Sequence, residues 1–223
     1  PAAEAIDSLF DYLTDQESDC DKMIVENRYV DLDFMDDFAH YYARCFKPYD
    51  KFCRRLHFFG EVDTVPFERY LAGEENAEAV AAQFQPHYRG FIVARPLPYT
   101  IIGRTILKPW KETVSGKEGD RARGGDVARK RSIRCIKEYK VNLAGLQLTV
   151  EGLAFQEQDR VIAACATSAL WSAFHQTSHL FNHAVPSTYE ITSHATRYMI
   201  RFRPIPSHGL NVAQMCEAIR ALG

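Results

Sequence analysis

The residues with the most evident chemistry lie in the run Gln158-Asp159-Arg160-Val161-Ile162-Ala163-Ala164-Cys165-Ala166-Thr167-Ser168-Ala169-Leu170-Trp171. Cys165 falls at the expected start of an apolar, Ala-rich helix. Free backbone N–H groups and the dipole at a helix N-terminus favour a thiolate there. The thiolate is the nucleophilic form of cysteine. Gln158 lies upstream, where a side-chain amide can donate to the oxyanion that forms on attack. Gln156 is a weaker rival for that role. The plain alternative is a core cysteine, because cysteine also packs as a small hydrophobe.

A thiol hydrolase needs a histidine within hydrogen-bond reach of the sulfur. His175 follows Cys165 on the same expected helix at roughly 15 Å, given a rise of about 1.5 Å per residue, which is too far. His179 and His183 fail in the same way if the helix continues. His194 and His208 lie on later elements and qualify by reach alone. A metal reading competes, because His175, His179 and His183 recur at helical spacing and His194 could add a ligand. The pattern lacks the glutamate of an HExxH site, and Leu180-Phe181-Asn182 predicts a helix end before His183. The expectation is a solvated or partner-facing histidine row, no metal and no cofactor.

The elements that must position these residues follow from periodicity. Residues 1 to about 60 read as helical, with one apolar stripe through Ile6, Leu9, Phe10 and Leu13 and another through Phe34, Phe38, Tyr41, Tyr42 and Cys45. Asp31, Asp33, Asp36 and Asp37 precede or open the second helix, where carboxylates suit the positive end of the dipole. The aromatic, basic segment Phe52–Phe59 is expected to be a core-facing helix with a solvated basic edge, rather than a base-stacking surface. Ala77–Phe84 is rich in helix formers. Phe91–Ala94 and Ile101–Leu107 read as strands, as do the apolar runs on either side of Ala144-Gly145 within 133–156. Lys111 to Arg131 is charged and glycine-rich and reads as a surface loop, and Arg129-Lys130-Arg131 as its solvated end. Ala163 to about His179 is the nucleophile helix. Ser187 and Glu190 form a capping box for a helix over Tyr189–Met199, and Val212–Leu222 is the last helix.

Composition narrows the classes. The chain has 223 residues, with Lys and Arg totalling 27 and Asp and Glu 29. That near balance argues against a general nucleic-acid coat or a membrane-surface binder. The apolar runs are too short for a membrane-spanning helix, and no signal peptide is apparent. Cys20, Cys45, Cys53, Cys135, Cys165 and Cys216 are scattered, which suits reduced thiols in a cytoplasm.

The stretch around Cys165 resembles the nucleophile region of papain-like cysteine peptidases, in particular the bacterial branch of double-glycine leader peptidases. Gln158, Cys165, Ala166, Ala169 and Leu170 carry the resemblance. Pro186-Ser187 with Glu190-Ile191-Thr192, and Gly209-Leu210 with Gln214-Met215, look like the two helices that follow. Ala166 stands where that branch commonly has glycine, and Trp171 lies downstream rather than beside the cysteine. The likeness covers roughly residues 150–223. It implies Cys165 as nucleophile and Gln158 in the oxyanion hole. It also implies a catalytic histidine from a β-rich half after the helices, beyond Gly223 or on a second chain. The expected fold is α+β: a papain-like half-domain preceded by a helical region and a small antiparallel sheet. The expected units are 1–110 as an accessory region, 111–131 as a loop and 132–223 as a hairpin plus an incomplete catalytic half. The expected activity is cleavage of a peptide or isopeptide bond in a peptide or protein substrate. The alternative is a non-catalytic binding or regulatory module on the same scaffold.

Overall fold

The computed structural model describes residues 2–14, 19–109, 113–114, 129–130, 136–159, 165–197 and 209–223. The fold is α+β. In chain order the elements are α1 (Ala2–Thr14), β1 (Lys22–Tyr29), α2 (Leu32–His40), β2 (Cys53–Phe59), α3 (Val65–Leu71), α4 (Ala77–Phe84), β3 (Tyr88–Ala94) and β4 (Ile102–Leu107). Then follow β5 (Thr113–Val114), β6 (Arg129–Lys130), β7 (Lys137–Leu143), β8 (Leu146–Phe155), α5 (Cys165–Phe181), α6 (Thr188–Ala195) and α7 (Val212–Leu222). Among the described residues no helix is long and apolar enough to cross a membrane.

Six strands form one antiparallel sheet in the order β1-β2-β3-β4-β8-β7. β4 pairs with β8 through Thr105–Phe155, Ile106–Ala154 and Leu107–Leu153. The hairpin of the C-terminal unit and the strands of the N-terminal region therefore share one sheet. Along β8 the inward positions Leu146, Leu148, Val150 and Ala154 are buried and alternate with more exposed ones, as a pleated strand with one covered face requires. The hairpin turn places Ala144 and Gly145 at φ 48° and 100°, the left-handed pair of a tight two-residue turn. A side chain at Gly145 would also run into the Tyr70 hydroxyl.

Two expected helices are strands. Phe52–Phe59 contains β2, and β1 occupies a stretch that had read as helical. The reason is visible in β2. Its inward positions are Cys53, Arg55, His57 and Phe59, so the period of two is carried partly by polar residues. Arg55 and His57 are tolerated inside because Glu26 of β1 meets both, at 2.6 Å and 3.0 Å. Arg55 also donates to the Asn142 carbonyl, and Ala144 N donates to Glu26. β1 and β7 are the two edges of the sheet, so this network draws the edges together and curls the sheet.

Helices cover both faces. α1 lies against the outer cluster of Leu13, Phe58, Ile92, Ile102 and Leu107. The main core joins the inward face to Trp171 and Phe174 of α5, Ile191 and Ala195 of α6 and Ala218 of α7. The hairpin, α4 and the last helix stand where the sequence places them. α6 begins with the expected capping box: Ser187 Oγ accepts from Glu190 N, and the Glu190 carboxylate accepts from Ser187 N. α6 ends at Ala195, and 198–208 lie outside the described residues. Most of 111–131 also lies outside them, apart from the β5–β6 ladder.

Candidate active site

Cys165 is the first residue of α5 and is exposed. Its thiol donates to Gln158 Oε1 at 2.5 Å. The two residues that sequence spacing had linked are thus in contact. The amide oxygen faces the sulfur; a half-turn about the last side-chain torsion would present the amide N–H₂ instead, a change that preserves shape. Gln156, the rival, lines a different region, and its side-chain nitrogen is buried with no partner.

The segment bearing Gln158 is held on both sides. Glu157 N donates to Ile102 O at 2.9 Å, and Ile102 N donates to the Glu157 carboxylate at 3.2 Å. Arg95, itself buried, donates to Glu157 O at 3.1 Å and to Thr100 O and Ile102 O. On the other side Asp159 is only 4% exposed and accepts a hydrogen bond from the Tyr42 hydroxyl. Arg160–Ala164, which link this segment to Cys165, lie outside the described residues.

The aspartates that the sequence reading assigned to a helix dipole tie α2 to β4 and α6. Asp31 does cap α2, accepting from Phe34 N at 3.1 Å. Asp36 and Asp37 instead reach α6. Asp36 accepts from Ser187 Oγ, and both oxygens of Asp37 accept from Thr188 Oγ1 at 2.8 and 2.9 Å. Burial pushes the Asp37 carboxyl up to about 7, against the pull of Thr188 and Arg95. Arg104 of β4 pairs with Asp31 at 2.5 Å, and its other nitrogen is 3.6 Å from Asp33. Burial raises the Asp33 carboxyl, and the Arg104 charge opposes that rise. The signal available in sequence was the density of aspartates around one short helix, more than a single dipole end can use.

No described histidine hydrogen-bonds to Cys165. His175 is buried beside Trp171 at 4.3 Å between ring centres, with both ring nitrogens unpartnered. The expectation of a solvated row is therefore corrected: the apolar side of α5 faces the core and carries His175 with it. His179 is exposed. His183 lies past the end of α5, and its Nε2 contacts Thr177 Oγ1 at 2.8 Å. Among the described residues no group of three or more His, Cys, Asp or Glu is arranged to hold a metal ion. His194 is half-buried on α6, and His208 lies outside the described residues. The described cysteines Cys20, Cys45, Cys53, Cys165 and Cys216 are free.

A separate cavity of about 510 Å³ opens between α1 and the outer face of β4 and β8. Leu9, Tyr12, Ile102, Leu107, Leu153 and Phe155 are among its walls. Comparison with family models, curated proteins and solved structures finds no match for this chain.

Proposed function

We propose that the chain carries the nucleophile of a papain-like thiol hydrolase, or of a related acyl-transfer enzyme, acting on a peptide or isopeptide bond. The observation that carries this reading is the contact of an exposed thiol at the head of α5 with the Gln158 amide, 2.5 Å away. The Cys165 thiolate attacks the carbonyl carbon, and the π electrons move to oxygen. The Gln158 amide, turned so that its N–H₂ donates, stabilises that oxyanion. Collapse expels the amine, which takes up a proton, and leaves a thioester. Water then cleaves the thioester, releasing the acid and restoring the thiol. The step needs a histidine as proton acceptor; among the described residues none hydrogen-bonds to Cys165, and His208 lies outside them. Free cysteines fit a reducing compartment such as the cytoplasm.

A peptidyl vinyl sulfone tests this reading with the full-length protein. Covalent labelling confined to Cys165, abolished by Cys165→Ala, is the expected result. Labelling spread over several cysteines contradicts it. A second reading, a binding module on the same scaffold, has one observation in its favour: an apolar cavity under α1 that Cys165 does not line.

A further inference from the structure

We infer that Tyr42 is a positioning residue for the oxyanion-binding amide, acting through Asp159 on Gln158; this rests on the reading of Cys165 as nucleophile. Gln158 is exposed, so side-chain packing does not fix where its amide sits. Its neighbours do. Upstream, Glu157 is locked to β4 and to Arg95. Downstream, Asp159 is buried and takes the Tyr42 hydroxyl. A residue tethered on both sides keeps its backbone still while its amide remains free to turn toward a forming oxyanion. Catalytic groups misplaced by about 1 Å lose on the order of a hundredfold in rate.

The Tyr42 end of this tether is itself rigid. The ring is buried, contacts Phe34, Tyr41 and Tyr49, and follows directly on α2. Burial, with the hydrogen bond to Asp159 and its charge, raises the hydroxyl's pKa and keeps it a donor. α2 in turn is bound to α6 through Asp36–Ser187 and Asp37–Thr188. The region around residues 31–44 is therefore part of the frame of the site, far from it in sequence.

Two reagents separate positioning from general reactivity. Acylation of Cys165 by p-nitrophenyl acetate passes through a tetrahedral oxyanion: sulfur bonds to the carbonyl carbon and p-nitrophenolate leaves. Alkylation by iodoacetamide displaces iodide and forms no oxyanion. Tyr42→Phe keeps the ring and removes the hydroxyl. It is expected to slow acylation of Cys165 by about tenfold or more and to leave alkylation within about twofold of the parent rate. Tyr42→Phe combined with Gln158→Ala should be no slower than Gln158→Ala alone. Asp159→Asn keeps an acceptor for the hydroxyl and should retain most of the acylation rate, whereas Asp159→Leu should not. Equal slowing of both reagents, or additive losses in the double variant, overturns the positioning role. If Cys165 in the parent protein is acylated no faster than exposed Cys216, the nucleophile reading itself falls, and this inference with it.

Discussion

Two buried polar networks in this molecule solve the same problem differently. Inside the curled sheet, Glu26, Arg55, His57 and Tyr88 form a closed set. His57 donates to Glu26 and accepts from Tyr88 at 2.9 Å, while Arg55 serves Glu26, Tyr29 and the Asn142 carbonyl. Burial alone would raise the Glu26 carboxyl, but hydrogen bonds from His57 and Arg55 hold it down at about 2. Under α5 the network is open. Among the described residues, Arg104 Nε, Ser168 Oγ and both His175 nitrogens are buried without a hydrogen-bond partner. The first network is satisfied and fixes the shape of the sheet. The second has buried polar groups with no protein partner beside the helix that presents Cys165, and a buried group left unsatisfied costs about 1–3 kcal/mol. Such costs are concentrated where a protein is built for something besides stability.

Asp37 is hydrogen-bonded to Thr188 yet still pays for its burial. Its folded-state pKa of about 7 lies above the ordinary carboxylate value of 3.8. The protonated form is favoured in the folded state, so stability is greatest at the acid end and is lost as pH rises from about 4 through 7. The full span amounts to roughly 4 kcal/mol at about 1.4 kcal/mol per pH unit. Asp37→Asn should flatten that limb of the stability profile while keeping an acceptor for Thr188. Urea midpoints measured from pH 4 to 8 will show this, and an unchanged slope would mean that Asp37 is not the group responsible.

The closed network should break more simply. Arg55→Leu removes the charged partner of Glu26 and the donor to the Asn142 carbonyl, and should cost about 3 kcal/mol at neutral pH, read as a lower denaturation midpoint. A loss below about 0.5 kcal/mol would place Arg55 among ordinary surface charges and remove the reason for the curl.

The smallest expected effect has the opposite sign. Burial, with Lys137 and Arg104 nearby, holds His175 at about 3, below its ordinary 6.5. A depressed histidine costs stability as pH falls below 6.5, because the unfolded chain takes up the proton first. His175→Leu removes the unpaired nitrogens at similar volume. It should stabilise by about 2 kcal/mol at pH 5 and by less at pH 8. Destabilisation at pH 5 would show that the imidazole has a partner in solution.

The same contrast explains what the sequence made legible. The β7–β8 hairpin, the α6 capping box and the last helix were readable because local pattern and fold agree there. β1 and β2 were not, because the inward face of β2 alternates through Arg55 and His57, and their partner Glu26 is on another strand. At the site, Gln158 and Cys165 were linked by near spacing along one segment. Tyr42 and Asp159 are 117 residues apart, and nothing in the local sequence joins them. Asp37 looked like a dipole partner until the fold placed Thr188 against it. Short-range chemistry was visible in the chain, whereas the support beneath it depends on tertiary packing.

The most direct test of the central claim is site-resolved alkylation of all described cysteines in the full-length protein across pH, read by mass spectrometry. The account predicts that Cys165 reacts faster than Cys216 and the other thiols, as an activated nucleophile does. If Cys165 instead reacts no faster than exposed Cys216 at any pH, it is an ordinary thiol on a helix, and the hydrolase reading is contradicted.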